Sequence, residues 1–503
     1  MWRKDDPQGD EAAKIRWELV EYTSGQGLDL GCGQFKAFPH FVGVDNGHHW
    51  GMKGVDVHVD TCEKLGIFAD KSMDFVFSSH LLEHIVNTKD TLKEWYRVIK
   101  DDGYLILYLP HKELYPNCGE EGANQDHKHD FMPEDIIGFM EEVGGFDLIR
   151  NETRDQEREY SFFQVYKKRG DDKRLFSYKD PKPEKTCAVI RYGAFGDAIQ
   201  ASSLYPILKK QGYHITFYTT GAGYEVSKND PNIDKFVVQG KDQVPNQALV
   251  HFWDSLKKKY TKFINLSESV EGTLLALQGR TAHGWPHSLR HKMLNINYNE
   301  FAHDLAEIPQ EITQKFYATE EEKLWAKAEK EKIGGKVILW SLSGSAVHKT
   351  WPHLDNIIAK VMIEHKDVKI VLAGDELCKL LEQGWEKEPR VFCKSGQWSI
   401  RKSLAFAQVA DIVIGPETGV LNAVAFEPMR KLVMLSHSSK ENLTKHWKNT
   451  AVFEPVTSCY PCHQMHYSFE FCRQDKETGC AQCQADIKPE EVYKVLETAI
   501  RKV

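Results

Sequence analysis

LDLGCG, residues 28–33, decides how the first part of the chain reads: an apolar run of strand type stops at two glycines one position apart. In an α/β unit such glycines let the backbone turn tightly at the C-terminal end of a strand and approach a ligand closely. Gly31 and Gly33 are therefore predicted to floor a cofactor site, with Asp29 counted among its contacts. Outward from this point, FVGVD ends in Asp45, VDVHVD ends in Asp60, and MDFVFSS carries Ser78 just before His80. A carboxylate at the end of a second strand can accept both ribose hydroxyls, and Asp60 and its neighbours could face an adenine amino group. With YLILYLP these runs give five short strand candidates for a parallel sheet. NTKDTLKEWYRVIKDDG and FMPEDIIGFMEEVGGF read as helices, and FDLIRNETR and YSFFQVYKKRG as further strands, so residues 1–168 are assigned to one α/β domain. Eleven residues separate Gly33 from Asp45. That is too few for a full helix and a strand, and an abbreviated helix is expected there.

These motifs, in this order, resemble class I S-adenosylmethionine-dependent methyltransferases: LDLGCG for the glycine motif, VGVD for the ribose-binding acid, VDVHVDTC for the adenine side and MDFVFSSHLLEHI for the post-strand motif. The resemblance implies S-adenosylmethionine as cofactor and methyl transfer to a nucleophile. The competing reading, in which Asp29 and Asp45 only cap turns, does not account for the order of the motifs. After the fifth strand, HKELYPNCGEEGANQDHKHDF (111–131) lies where an α/β enzyme builds a substrate loop. His127 and His129 are candidates to orient or deprotonate an acceptor hydroxyl, with metal binding or hydrogen bonding within the loop left open.

Residues 169–185 are polar, charged and proline-containing and read as a linker. The pattern then restarts at CAVIRYGAFGDAIQASSLYPILKK as strand, glycine turn and helix. Gly193 and Gly196 can bring the chain close to a ligand, and Asp197 falls where a helix should begin, as a cap or facing an acceptor hydroxyl. A second restart at KVILWSLSGSAVHKTWPH offers Ser343, Gly344 and Ser345 after a buried strand, and Lys349 to neutralise a departing diphosphate. ADIVIGPETGVLNAVAF places Glu417, Thr418 and Gly419 between a strand and a helix, Glu417 being suited to donor hydroxyls. Two domains are assigned, 186–328 on the acceptor side and 329–503 on the nucleotide-sugar side. The whole chain is read as α/β, one methyltransferase-like Rossmann domain followed by a pair of Rossmann-like domains.

The second region resembles the ADP-heptose:lipopolysaccharide heptosyltransferase family (GT-9-like, GT-B fold), on RYGAFGDAIQASSLYPILK, LSGSAVHKTWPH, LAGD, ADIVIGPETGVLNAVAF and the terminal CYPC, CAQC and IKPEEV. The resemblance implies an inverting transfer from a nucleotide diphosphate sugar without an obligatory metal. Asp197 would be the general base and Lys349 the stabiliser of the leaving phosphate, with Ser343–Ser345 and Glu417–Gly419 holding the donor. That family commonly has Asp-Thr-Gly followed by a histidine; here the positions are Glu417-Thr418-Gly419 and Asn422, which makes a changed donor sugar plausible. In the resembling architecture the terminal helix IKPEEVYKVLETAIRKV crosses back to brace the cleft, whereas plain packing is its simpler explanation.

Eleven cysteines are present, five of them in the last fifty residues. Cys459, Cys462, Cys480 and Cys483 form two C-x-x-C pairs that could hold a structural zinc, with Cys472 as an extra or alternative ligand; reduced or disulfide-bonded thiols are the alternative. The composition, 41% hydrophobic and 27% charged over 503 residues, is that of a globular protein of several domains. A formal net charge of −8 supplies no general attraction for nucleic acid. No apolar run reaches the length of a membrane span or signal core, so a cytoplasmic protein is expected. Together these readings give a bifunctional methyltransferase and glycosyltransferase acting on a carbohydrate or glycolipid precursor. A glycosyltransferase modifying nucleic-acid bases and a noncatalytic carbohydrate-binding or assembly protein are the alternatives.

Overall fold

The apolar runs become parallel strands wherever a turn residue follows them. The computed structural model describes residues 10–47, 52–156, 158–170, 176–177, 183–241, 243–267 and 274–503. The chain forms two compact units, Met1–Glu184 with Val238–Lys259, and Lys185–Val237 with Tyr260–Val503. The predicted linker 169–185 falls mostly outside the described residues. Among the described residues no helix is long and apolar enough to cross a membrane.

In the first unit, β1 (Gly27–Leu30), β2 (Val42–Asp45), β3 (Val57–His58), β4 (Met73–Ser79), β5 (Ile99–Pro110), β6 (Phe146–Arg154), β7 (Ser161–Lys168) and β8 (Phe176–Ser177) make one sheet in the order β3-β2-β1-β4-β5-β7-β6-β8. β1 to β5 run parallel, while β7 is antiparallel to both of its neighbours. Leu28, Leu30, Val76, Leu105 and Leu107 share a core with the helices Thr88–Val98 and Pro133–Val143. The first of these helices buries Thr88, Thr91, Leu92, Trp95 and Val98, the spacing of a single helical face.

The abbreviated helix expected between β1 and β2 is absent. Residues 34–41 are turns, in which Pro39 has no N–H to give to a helix and Phe38 and Phe41 are buried. The helix Leu249–Lys259, which the sequence reading placed in 186–328, belongs to the first unit. Its Phe252 ring lies 6.2 Å from that of Trp17, and Lys259 Nζ is 3.3 Å from a carboxylate oxygen of Glu18. Just before it, Gln243 Nε2 donates to the Val20 carbonyl at 2.9 Å.

The second unit holds two sheets. β9 (Thr186–Arg191), β10 (His214–Thr220), β11 (Lys235–Gln239) and β12 (Lys262–Asn265) are ordered β11-β10-β9-β12. β13 (Lys336–Ser341), β14 (Val368–Ala373), β15 (Val391–Cys393), β16 (Ile412–Pro416), β17 (Arg430–Met434) and β18 (Thr450–Phe453) are ordered β15-β14-β13-β16-β17-β18. Successive residues of a strand point to opposite faces, and β13 divides accordingly. Val337 and Leu339 enter a core shared with Val189 and Ile215 of the other sheet, whereas Ile338 and Trp340 enter a second core on the outer face. The shared core binds both sheets into one unit.

Two sequence expectations change here. The helix Glu320–Ile333 runs through the predicted 328/329 boundary, because Thr319 Oγ1 accepts the Glu322 N–H at its start and Gly334, at φ 68°, ends it. The terminal helix Pro489–Ile500 does not cross back. Its Val492, Leu496 and Ile500 pack in the outer core with Ile357, Val361 and Leu432, and Lys336 Nζ donates to the Ile500 carbonyl at 3.0 Å. A 3₁₀ turn, Thr281–Gly284, and the helices His287–Leu294 and Tyr298–Leu305 follow β12.

Candidate functional site

In the first unit the predicted cofactor residues gather beyond the C-terminal ends of β1, β2 and β4. Gly31 and Gly33 have φ of 73° and 49°, the left-handed region that glycine enters without strain. The Asp45 carboxylate accepts the Gly33 N–H at 2.9 Å through one oxygen and the Gly47 N–H at 2.7 Å through the other, which fixes its direction. Asp60 is exposed just past β3. The hydroxyls of Ser78 and Ser79 are buried at the end of β4 with no hydrogen-bond partner among the described residues. Asp29 has a different setting. It is 3% exposed, one oxygen accepts the Ala37 N–H at 2.7 Å, and burial pushes its carboxyl up to about 7. It braces the β1–β2 turn.

The floor is held by close backbone crossings. A Cβ on Gly43 would fall 2.1 Å from the Gly54 carbonyl oxygen, and one on Gly54 would fall 2.8 Å from the Gly33 carbonyl oxygen. Gly43→Ala is therefore expected to cost about 1–3 kcal/mol of stability in the first unit. On the expectation that this floor holds S-adenosylmethionine, it should also weaken that binding about tenfold or more, measurable by calorimetry on the full chain. An unchanged affinity would show that the crossing does not shape the pocket.

The two loop histidines part company. His129 Nε2 lies 3.3 Å from the Val86 carbonyl and its ring stacks on Phe131 at 5.3 Å. His127 turns toward Glu83, with Nε2 3.8 Å from a carboxylate oxygen. Glu83 is fully buried, and burial pushes its carboxyl up to about 8. Sequence reading did not single it out within HLLEHI.

In the second unit a cleft of about 540 Å³ is lined from both sheets. It brings together Asp197, Lys349, Ser343–Ser345, Glu417–Gly419 and Gly196; Gly193 is not among its lining residues. Gly193 serves Asp197 instead, because a Cβ there would lie 2.4 Å from Asp197 Oδ2. That oxygen accepts the Ala194 N–H at 2.8 Å, and Oδ1 lies 2.8 Å from Nη2 of the buried Arg191. Gly344 likewise makes room for Lys349, whose Cδ would be 2.7 Å from a Cβ at that position. Among the described residues no carboxylate pairs with Lys349 within 4.0 Å, which leaves its charge available to an anion.

Glu417 is 3% exposed. Its Oε1 accepts N–H bonds from Ser436 and His437 at 2.9 and 3.1 Å, the Ser436 hydroxyl, and a contact from His437 Nδ1 at 2.8 Å. Its Oε2 has no partner among the described residues. Burial by itself would raise the carboxyl, but His437, Lys349 and Ser436 hold it well below the usual carboxylate range. The second oxygen is an anionic acceptor suited to a ligand hydroxyl. Thr418 Oγ1 is tied to Ser341 Oγ at 3.0 Å. Asn422 is a brace: its amide receives Gln200 and Gln314 at 3.2 and 3.1 Å and donates to the Thr418 carbonyl at 3.0 Å. Gly196 and Gly419 meet at this contact, where a Cβ on Gly419 would lie 3.3 Å from Gly196 N. Tyr298, Asp375, Trp398 and His437 also line the cleft and were not singled out from sequence.

The cysteine cluster surrounds a small cavity of about 50 Å³ lined by Cys459, Cys462, Cys472 and Cys483 together with His348 and His466. Cys472 stands there, and Cys480 of the expected ligand set does not. Among the described residues no three of these donor atoms lie within 4.8 Å of one another.

A family model described as a methyltransferase domain matches residues 28–107. Comparison with curated proteins finds no match. Among solved structures the chain is similar to a glycosyl transferase family 9 protein from Veillonella parvula DSM 2008, at 16% identity and TM-score 0.48, covering 65% of this chain and 100% of that one. It is similar to the E. coli ADP-heptose LPS heptosyltransferase II at 15% identity and TM-score 0.45, covering 63% and 99%. A SAM-dependent methyltransferase from Thermotoga maritima aligns at 19% identity and TM-score 0.26, covering 31% and 88%. The chain is thus a mixed α/β protein in which a methyltransferase-like Rossmann module precedes two further Rossmann-like parallel-sheet modules.

Proposed function

We propose that the chain is a bifunctional transferase. The first unit binds S-adenosylmethionine over Gly31 and Gly33, with Asp45 on the ribose and Asp60 toward the adenine, and passes its methyl group to a sugar or related acceptor. The second unit moves a sugar from a nucleotide diphosphate donor to a carbohydrate or glycolipid hydroxyl with inversion. The observation that carries this reading is one cleft lined by both a fixed carboxylate, Asp197, and an ammonium, Lys349.

The chemistry needs both groups. An incoming hydroxyl is a poor nucleophile until a base takes its proton, and Asp197 is that base. A departing diphosphate gains charge as the glycosidic bond breaks, and Lys349 offsets it in a partly desolvated cleft. Attack from the face opposite the leaving group inverts the anomeric centre. Glu417 Oε2 receives a donor hydroxyl, and the Ser343–Ser345 turn lies along the phosphates.

The test is a calorimetric donor screen on the full chain, with S-adenosylmethionine and nucleotide diphosphate sugars scored separately, followed by product mass with glycan and DNA acceptors. Saturable binding of one ligand of each kind and a mass gain on a glycan are expected. Binding of neither donor would sink the proposal, and a mass gain on DNA alone would reassign the acceptor.

A further inference from the structure

Glu83 poses a problem in the first unit that methyl-donor binding leaves unsolved. β4 ends at Ser79, and His80 takes φ 48° with its N–H on the Tyr108 carbonyl at 2.8 Å. A 3₁₀ turn, Leu82–His84, follows and points Glu83 inward. Its side chain has no exposed surface, and neither carboxylate oxygen has a hydrogen-bond partner among the described residues. A carboxyl buried without a partner is held as the neutral acid, and becomes a carboxylate when a cation stands beside it.

What surrounds it is imidazole. Nε2 of His84 and Nε2 of His127 each lie 3.8 Å from Glu83 Oε1, and Nδ1 of His80 lies 3.9 Å away. These separations are too long for hydrogen bonds. Two donors about 2.1 Å from one ion stand about 3.4–3.6 Å apart at tetrahedral to trigonal angles, so these separations lie a few tenths of an ångström outside a closed set. One donor atom from each of Glu83, His84 and His127 falls within 4.8 Å of the other two. The backbone holds this set, because the Glu83 carbonyl accepts the N–H groups of Lys128 and His129 at 2.8 and 3.2 Å and so delivers His127 from the loop. The His84 and His127 rings meet edge to face at 4.7 Å.

We propose that Glu83, His84 and His127 form a site for one divalent first-row transition ion. Two neutral imidazoles and one carboxylate are the donors such ions favour over magnesium or calcium. The His84 side chain is 28% exposed, so the solvent side of the set lies at His84, while Glu83 and His127 close it from within. The site neighbours the cofactor floor: a Cβ on Gly31 would lie 3.0 Å from Leu81, two residues before Glu83. An oxygen acceptor bound on the solvent side is the class of methyl acceptor this arrangement selects, since a metal-bound hydroxyl loses its proton more readily. The ion site stands on its own geometry, whereas the acceptor class rests on the methyltransferase reading.

The experiment titrates chelator-treated full-length protein with Co²⁺, followed by visible absorption and calorimetry. Cobalt bound by imidazole and carboxylate gives d–d bands without the near-ultraviolet thiolate charge transfer that cysteine ligation adds, so the cysteine cavity is told apart. Wild type is expected to saturate one equivalent of the nitrogen and oxygen type. His84→Ala and His127→Ala should each weaken that equivalent by at least about 100-fold, more than loss of an outer-shell partner costs, with thermal unfolding unchanged. Wild type that never develops these bands overturns the site without reference to any variant. Equal cobalt affinity in wild type and both variants overturns it as well. Failure of S-adenosylmethionine to bind, with the cobalt equivalent intact, removes the methyltransferase reading and leaves the ion site standing.

Discussion

Asp197→Asn is expected to lower kcat/KM for sugar transfer by about 10²–10⁴-fold, the usual worth of a positioned general base. The substitution keeps the size and planarity of the side chain. It keeps one oxygen for the Ala194 N–H, which Asp197 now accepts at 2.8 Å. It removes the proton-accepting charge and the ion pair with Arg191 at 2.8 Å. Donor affinity should hold, because the proposal gives donor binding to Lys349, Ser343–Ser345 and Glu417. Methyl-donor affinity in the other unit serves as an internal control on folding. The measurement is initial-rate kinetics at saturating donor alongside calorimetric donor binding; turnover equal to wild type would remove Asp197 from the chemistry.

The second large effect is on stability. The Glu18 side chain is 8% exposed and faces three cations: Arg150, Arg154 with Nη2 at 2.8 Å, and Lys259 with Nζ at 3.3 Å. Glu18→Ala leaves those charges crowded and unpaired, which should destabilise the first unit by about 3–5 kcal/mol. Burial alone would raise this carboxyl, but Lys259, Arg150 and Arg154 hold it at about 2, below its ordinary 4.5. A lowered folded-state value means the stabilisation is fully present above pH 4.5 and is lost as pH falls from 4.5 through about 2. That difference is worth about 3 kcal/mol. Hydrogen exchange across Leu249–Lys259 is the readout, since that helix carries Lys259. Protection that is the same in the variant and at low pH would show that the cluster contributes nothing.

The sequence made legible what depends on local pattern. Apolar runs stopped by glycine at Gly31, Ser343–Ser345 and Glu417–Gly419 marked strand ends, and strand ends in parallel sheets are where ligands meet the fold. Partnership at a distance was not legible. LVHFWDSLKKK declares one apolar face but not which sheet it covers, so Leu249–Lys259 was grouped with its neighbours in sequence. C-x-x-C spacing suggested Cys480, yet the path of the chain brings Cys472 to the cavity. The missing histidine near Glu417 looked like a change in donor contacts, while Asn422 is engaged by Gln200 and Gln314. The nearest imidazole to Glu417 comes from His437, twenty residues further on. Glu83 was hidden for the plainest reason: burial is a property of the fold, and an acid among leucines gives no sign of which way it points.

The passage of the chain through the first unit a second time, at Val238–Lys259, has a consequence for how the two units can be separated. Neither unit is one continuous stretch of polypeptide, so a single protease nick or stop codon cannot release either one whole. A fragment ending at Glu184 would lack Phe252, Gln243 and Lys259, the partners of Trp17, Val20 and Glu18. Such a fragment should be poorly soluble, and gene fission or domain shuffling at that point would have to carry the later helix along.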